Sequence, residues 1–197
     1  MAIVVVGGSA KDIGKTALVC AVISALPEFG WTAVKVSGHS YETEGSLSQE
    51  SGFTDPKVCE KTVAEQDTDT GRYLAAGARR ALLVSRWGPE IPIDEIRTAV
   101  EGDRNVIFET NRIIDVVEPD ACLALIGGLK SDWKPSFLRL LPKADALVGL
   151  GPFETESAGL APGIPRFDLQ SLDHLSPELA RWLRSRLDGA PVTRRKA

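Results

Sequence analysis

The run Gly7-Gly-Ser-Ala-Lys-Asp-Ile-Gly14-Lys15-Thr16 decides how the rest of the chain is read. Before it stands Ala2-Ile-Val-Val-Val6, an apolar run without polar alternation that suits a strand buried on both faces. After it the spacing predicts a helix over 15–26, with Pro27 and Gly30 punctuating its end. Glycines that follow a strand let backbone N–H groups turn inward around an anion. The opening of a helix adds unpaired N–H groups and partial positive charge. Lys15 then reaches the outer oxygens of a phosphate chain as a point charge, and the Thr16 hydroxyl is offered to Mg²⁺. The candidate phosphate-holding set is Gly8, Ser9, Ala10, Lys11, Asp12, Ile13, Gly14, Lys15 and Thr16. The rival reading, a glycine-rich turn without a ligand, has the order strand, loop, Gly-Lys-Thr, helix against it.

Working outward, further short apolar runs predict strands over 31–36, 81–85, 105–109, 121–126 and 146–150, with a last short one over 165–169. Helices are expected over 69–78, 93–100, 135–141 and 177–187, the last one capped by Ser176. Residues 37–56 are rich in Ser, Gly, Glu and Thr and read as a long surface loop, a kind of segment that often carries function. Strands alternating with helices imply an α/β chain with a mostly parallel central sheet covered on both faces, hence three layers. Residues 1–190 are expected to form one nucleotide-binding domain and 191–197 a disordered tail. In such sheets ligands bind at the carboxyl ends of the strands, so the polar residues there are the site candidates.

Lys35 lies inside an otherwise apolar strand, where a cation is costly unless it meets an anion or reaches solvent. Both outcomes are open, a contact to phosphate or anionic substrate and an edge lysine extending into water. His39 is a candidate proton carrier or metal ligand. His174 is the only other histidine, so a histidine metal site is not expected. Asp67, Asp69 and Arg72 read either as acids at a helix start or as a functional group, with Asp69 meeting Mg²⁺ or orienting a nucleophile and Arg72 meeting a phosphate. Glu109 follows the apolar Val106-Ile-Phe108, where a carboxylate holds Mg²⁺ through water or polarises an attacking water, with Asn111 assisting. The candidate catalytic residues are thus Lys15, Asp69 and Glu109, and the candidate metal ligands Thr16, Asp69 and Glu109.

A formal net charge of -4 argues against nucleic acid or an anionic membrane as partner. Cys20, Cys59 and Cys122 are an odd and widely spaced set, neither a disulfide framework nor a zinc site, and read as small buried residues in a reducing compartment. No apolar run has the length of a membrane span, and the chain is expected in the cytoplasm.

These residues resemble the branch of P-loop NTPases that includes dethiobiotin synthetase, the cobyrinate amidases and the molybdopterin-guanine dinucleotide biosynthesis protein B. Gly8 to Thr16 has the five-residue spacing of the dethiobiotin synthetase loop. The closer likeness is to the molybdopterin-related family, in Lys11, in Lys35 to His39, in Asp69-Thr-Gly-Arg72 followed by Ala76-Gly-Ala78, and in Glu109. Ser9 stands where the usual loop has glycine, Thr110 stands where a glycine commonly follows the acid, and no Asn-Lys-x-Asp sequence is present to read guanine. The resemblance implies a three-layer P-loop fold that binds Mg²⁺ with ATP or GTP through Lys15, Lys35 and Arg72 among others. It implies a slow NTPase or nucleotide-binding adapter of molybdenum-cofactor biosynthesis, with a partner protein of that pathway, or else a small-molecule kinase or ATP-dependent synthetase with a small-molecule acceptor. A homodimer is among the assemblies it implies. An interaction module whose nucleotide only regulates docking is a third reading.

Overall fold

The computed structural model describes residues 1–37, 57–64, 67–85, 90–150 and 163–188. Of the expected loop over 37–56, residues 38–56 with His39 lie outside the described residues, as do 151–162 and the 191–197 tail. The strands are β1 (Ala2–Gly8), β2 (Trp31–Val36), β3 (Lys57–Lys61), β4 (Arg80–Ser85), β5 (Asn105–Glu109), β6 (Ala121–Ile126), β7 (Ala146–Leu150) and β8 (Arg166–Leu169). The helices are α1 (Lys15–Ala25), α2 (Asp69–Ala75), α3 (Ile93–Ala99), α4 (Pro135–Leu140) and α5 (Pro177–Asp188).

The strands form one sheet in the order β3-β4-β2-β5-β1-β6-β7-β8. Every neighbouring pair is parallel except β3 with β4. From β1 the chain moves out to β2 and returns to β5. It then crosses to β6 on the other side of β1. The order reverses at β1, and the crevice at the carboxyl end of such a switch point is where open α/β sheets bind ligands.

Alternation along each strand builds two cores. One face carries Val4, Val6, Ala33, Ile107 and Leu123, packed under Leu18, Val22 and Ile23 of α1, Tyr73 of α2, and Leu179, Leu183 and Leu187 of α5. The other carries Val5, Val34, Phe108 and Ala124, packed under Ile96 of α3 and Phe137 and Leu140 of α4. This is the expected three-layer α/β arrangement. Lys35 and Glu109 have the same parity as Ala33 and Ile107, so strand alternation sends both toward α1 and α2.

Three differences from the sequence expectation have local causes. β3 was not expected, because Lys57-Val-Cys-Glu-Lys61 is too polar to read as a strand; it pairs antiparallel with β4 at the sheet edge, where Val58 packs on the core. α2 stops at Ala75, three residues before the expected end at 78. Gly77 takes φ 104°, and the bonds from Gly77 N–H to the Leu74 carbonyl and from Ala78 N–H to the Tyr73 carbonyl close the helix in a Schellman motif. Cys122 is buried and Cys20 half-buried, their thiols raised to about 12 and about 11 chiefly by burial, but Cys59 is exposed on β3. The Ser176 hydroxyl accepts from Leu179 N–H at 3.2 Å, as its expected capping role requires. Among the described residues no helix is long and apolar enough to cross a membrane.

α5 adheres to the sheet chiefly through Leu179, Leu183 and Leu187 at i, i+4, i+8, with Trp182 packed beside them against Phe167 of β8. Leu183→Ala is expected to lower unfolding stability by about 2–5 kcal/mol in a denaturant titration.

Candidate functional site

The loop between β1 and α1 is shaped by two backbone requirements. Asp12 takes φ 56° and Gly14 takes φ 101°, left-handed values that fold the chain back on itself so that successive N–H groups face inward. A Cβ at Gly8 would lie 2.8 Å from Ile13 and 2.9 Å from Lys15, so only glycine lets the loop close at that point. Asn111, just past β5, grips the start of this loop from below. Its side-chain oxygen accepts from Gly8 N–H at 2.7 Å, and its amide donates to the Gly8 carbonyl at 3.0 Å and to Ser136 Oγ at 3.2 Å.

Ser9 turns away from the cleft and is fully buried. Its hydroxyl donates to the Gly127 carbonyl at 2.8 Å and accepts from Gly127 N–H at 3.1 Å. Its own N–H donates to the Leu125 carbonyl at 3.0 Å, and its carbonyl accepts from Lys134 N–H at 2.9 Å. The residue that departs from the usual glycine therefore fastens the loop to the end of β6 and to the segment ahead of α4.

A cleft of about 790 Å³ opens above the loop. Lys11, Asp12, Gly14, Lys15 and Thr16 line it from the loop and the start of α1. Lys35, Asp69, Arg72 and Glu109 line it from β2, α2 and β5, and Asn111, Arg112, Lys134 and Ser136 close the other side. The expected residues Lys15, Thr16, Lys35, Asp69, Arg72 and Glu109 thus meet at one place. Gly8, Ser9, Ala10 and Ile13 support the loop without lining the cleft, and Asp67 is exposed outside it.

At the centre of the cleft floor is Glu109, 2% exposed. The β2–β5 register sets Lys35 opposite it, and the β1–β5 register sets Val6 on its other side. Lys35 Nζ pairs with Glu109 Oε1 and, at 2.9 Å, with Asp69 Oδ2. Thr16 Oγ1 lies 2.7 Å from Glu109 Oε2 and 2.9 Å from Asp69 Oδ1. The Tyr73 hydroxyl donates to Glu109 Oε2. Asp69, Arg72 and Tyr73 come from one short helix at spacings of three and four, which turns them toward the same region.

The charges perturb one another. Burial holds Lys15 below the ordinary lysine value, Glu109 opposes this, and the ammonium groups of Lys35 and Lys134 add to the depression. Burial would also lower Lys35, but the carboxylates of Glu109 and Asp69 outweigh it and hold its ammonium above the ordinary value. Burial would raise Asp69, yet the hydrogen bonds from Lys35 and Thr16 and the charge of Arg72 hold its carboxyl below the ordinary value. Burial and the Glu109 charge push the Tyr73 phenol well above its usual range, so it stays a donor at neutral pH.

The oxygen cluster suits a hard divalent cation. Thr16 has one hydroxyl hydrogen and faces two carboxylate oxygens, so at most one of those contacts is its hydrogen bond. Lys35 is the only cation paired with the two acids among the described residues. A hydroxyl with two carboxylates matches Mg²⁺, which takes one or two protein carboxylates and completes its shell with phosphate oxygens and water. Among the described residues there is no group of three or more His, Cys, Asp or Glu that could hold a metal ion.

No protein-family model matches this chain, and no curated protein matches it either. Solved structures do share its architecture, and the chain has the α/β P-loop NTPase fold. One similar structure is a MobB protein homologue from Bacillus stearothermophilus, 18% identical, with a TM-score of 0.51 over 96% of this chain and 100% of the other. Another is the "apo" form of LpxK from Aquifex aeolicus in complex with ATP, 18% identical, with a TM-score of 0.50 over 85% of this chain and 53% of that one. The match therefore spans about half the length of LpxK.

Tyr73 and Lys134 were not among the residues singled out from sequence. The i, i+4 spacing of Asp69 and Tyr73 was the available signal for the first, and none marked the second. Tyr73→Phe keeps the ring and removes one donor from a buried carboxylate. It is expected to cost about 1–3 kcal/mol of stability in denaturant unfolding of the free protein. Equal stability would mean that the hydroxyl contributes nothing to holding Glu109.

Proposed function

We propose that this chain binds a nucleoside triphosphate, ATP or GTP, together with Mg²⁺, and works as a slow NTPase or nucleotide-binding adapter in molybdenum-cofactor biosynthesis. The carrying observation is the Thr16 hydroxyl, held on the first turn of α1 between the carboxylates of Asp69 and Glu109 with Lys15 beside it. In this reading the loop N–H groups and Lys15 hold the phosphate oxygens. Thr16, Asp69 and Glu109 hold Mg²⁺, which supplies charge neutralisation when bound. Glu109 would polarise a water attacking the terminal phosphorus, whose bond to the bridging oxygen breaks so that the diphosphate leaves, and Arg72 would meet the outer phosphate from α2. The pathway is supported by the residue pattern shared with the molybdopterin-related family and by the fold shared with the MobB homologue.

A small-molecule kinase or synthetase is the second reading. It is favoured by the extent of the cleft, which continues past the loop to Val36 and Ser37 at the end of β2 and to Thr110–Arg112 past β5, leaving room for an acceptor beside the phosphates. Candidate acceptors added to a phosphate-release assay separate the two, since only the second reading requires an acceptor for turnover. Partner protein and homodimer remain proposals of the first reading, tested by mass measurement with and without nucleotide.

Mg²⁺ with ATP or GTP is expected to raise the melting temperature. A ligand at a hundred times its dissociation constant adds about 2.7 kcal/mol, which for a chain of this length is roughly 5–10 °C. Lys15→Ala should remove most of that shift while the free protein stays folded. No shift with saturating amounts of either nucleotide would overturn the proposal.

Glu109→Gln keeps the size of the side chain and removes its charge. Nucleotide binding is expected to survive and turnover to fall at least tenfold, about 1.4 kcal/mol of barrier, in a single-turnover phosphate-release measurement. Wild-type turnover in the variant would reduce Glu109 to a structural anchor.

A further inference from the structure

Lys134 takes no part in the network around Glu109, yet its position is tightly determined. It precedes Pro135, and its backbone has the extended values φ -65° and ψ 141° that a following proline favours. On its other side Trp133 is buried edge-on against Phe137. Its N–H is held by the Ser9 carbonyl at 2.9 Å, so the loop that shapes the cleft also carries the lysine. The Lys134 side chain is half-buried and lines the same cleft as Lys15.

Two cations converge here without adequate neutralisation. Lys35 has Asp69 and Glu109. Among the described residues Lys134 has neither an ion pair nor a side-chain hydrogen bond, and Lys15 has only a 3.4 Å contact to the Ala10 carbonyl. Glu109 and the exposed Asp12 are the acids acting on Lys15, and Lys134 is near enough to act on it as a like charge. Bringing like charges together in a partly desolvated cleft is costly unless an anion lies between them. In the strand order Lys134, after β6, comes from the opposite side of β1 to Lys35 and Arg72, so an anion above the loop would be gripped from both sides.

We infer that Lys134 is a further anion-binding residue of this cleft, contacting the outermost phosphoryl group of a nucleoside triphosphate beside Lys15. The inference rests on the nucleotide reading above. The Ser9 hydroxyl, which glycine lacks, pins the loop to Gly127 after β6, and so fixes the backbone carbonyl that holds Lys134 N–H.

The test compares Mg²⁺ with a non-hydrolysable triphosphate analogue against Mg²⁺ with the diphosphate, by calorimetry on the full chain, for wild type, Lys134→Met and Lys134→Arg. Lys134→Met is expected to weaken triphosphate binding at least tenfold and diphosphate binding less than threefold. Lys134→Arg should recover most of the loss, and the unfolding transition of each free variant checks its fold. Equal weakening of both nucleotides, or none in Lys134→Met, would overturn the assignment while the nucleotide reading stands. Wild type that binds neither nucleotide would overturn the nucleotide reading and this inference with it.

Discussion

The buried carboxylate of Glu109 is the group around which the cleft is organised. It sits at the end of a central strand, almost without access to water, and gathers Lys35 from β2, Thr16 from α1 and Tyr73 from α2. A buried charge of this kind is stable only when it is paired and hydrogen-bonded. Each of those elements must therefore dock correctly for the acid to be satisfied. Removing a donor leaves the carboxylate under-satisfied, while replacing the acid leaves Lys35 with Asp69 alone. The contacts that hold the site together also bring one hydroxyl, two carboxylates and Lys15 to the same cleft.

Sheet register does the positioning. Parallel pairing sets Lys35 directly opposite Glu109, and strand parity sends both to the α1 side. A slip of one residue in either strand would send its charge into the other core, among Val5, Val34 and Phe108. The cost of burying an unpaired ion there is a strong penalty against the wrong register.

Around the start of the loop the same logic uses hydrogen bonds in place of charge. Ser9 and Asn111 tie the loop to β6, to the segment after β5 and to α4. The loop itself contains left-handed residues and little apolar surface, so it depends on these ties to keep one shape. A preshaped loop has less entropy to lose when an anion arrives.

The amino-acid sequence by itself determined the alternation of strands and helices and the loop from Gly7 to Thr16, because apolar periodicity and the glycine, lysine and threonine spacing are local signals, and it marked Lys35, Asp69 and Glu109 as candidates with a structural role still open for each. It did not reveal β3, whose pairing rests on the backbone of β4 and on the Glu60–Arg80 ion pair rather than on an apolar pattern of its own. Nor did it reveal Tyr73, an ordinary core aromatic in sequence, whose hydroxyl matters only because Glu109 lies across the fold from it, 36 residues away. Ser9 looked like one more phosphate contact; whether its side chain faces the cleft or the end of β6 is decided by Gly127, 118 residues downstream. Tertiary structure alone decided which cations are paired and which face the cleft unpaired, since the cost of a charge depends on the neighbours and solvent around it and not on its place along the chain.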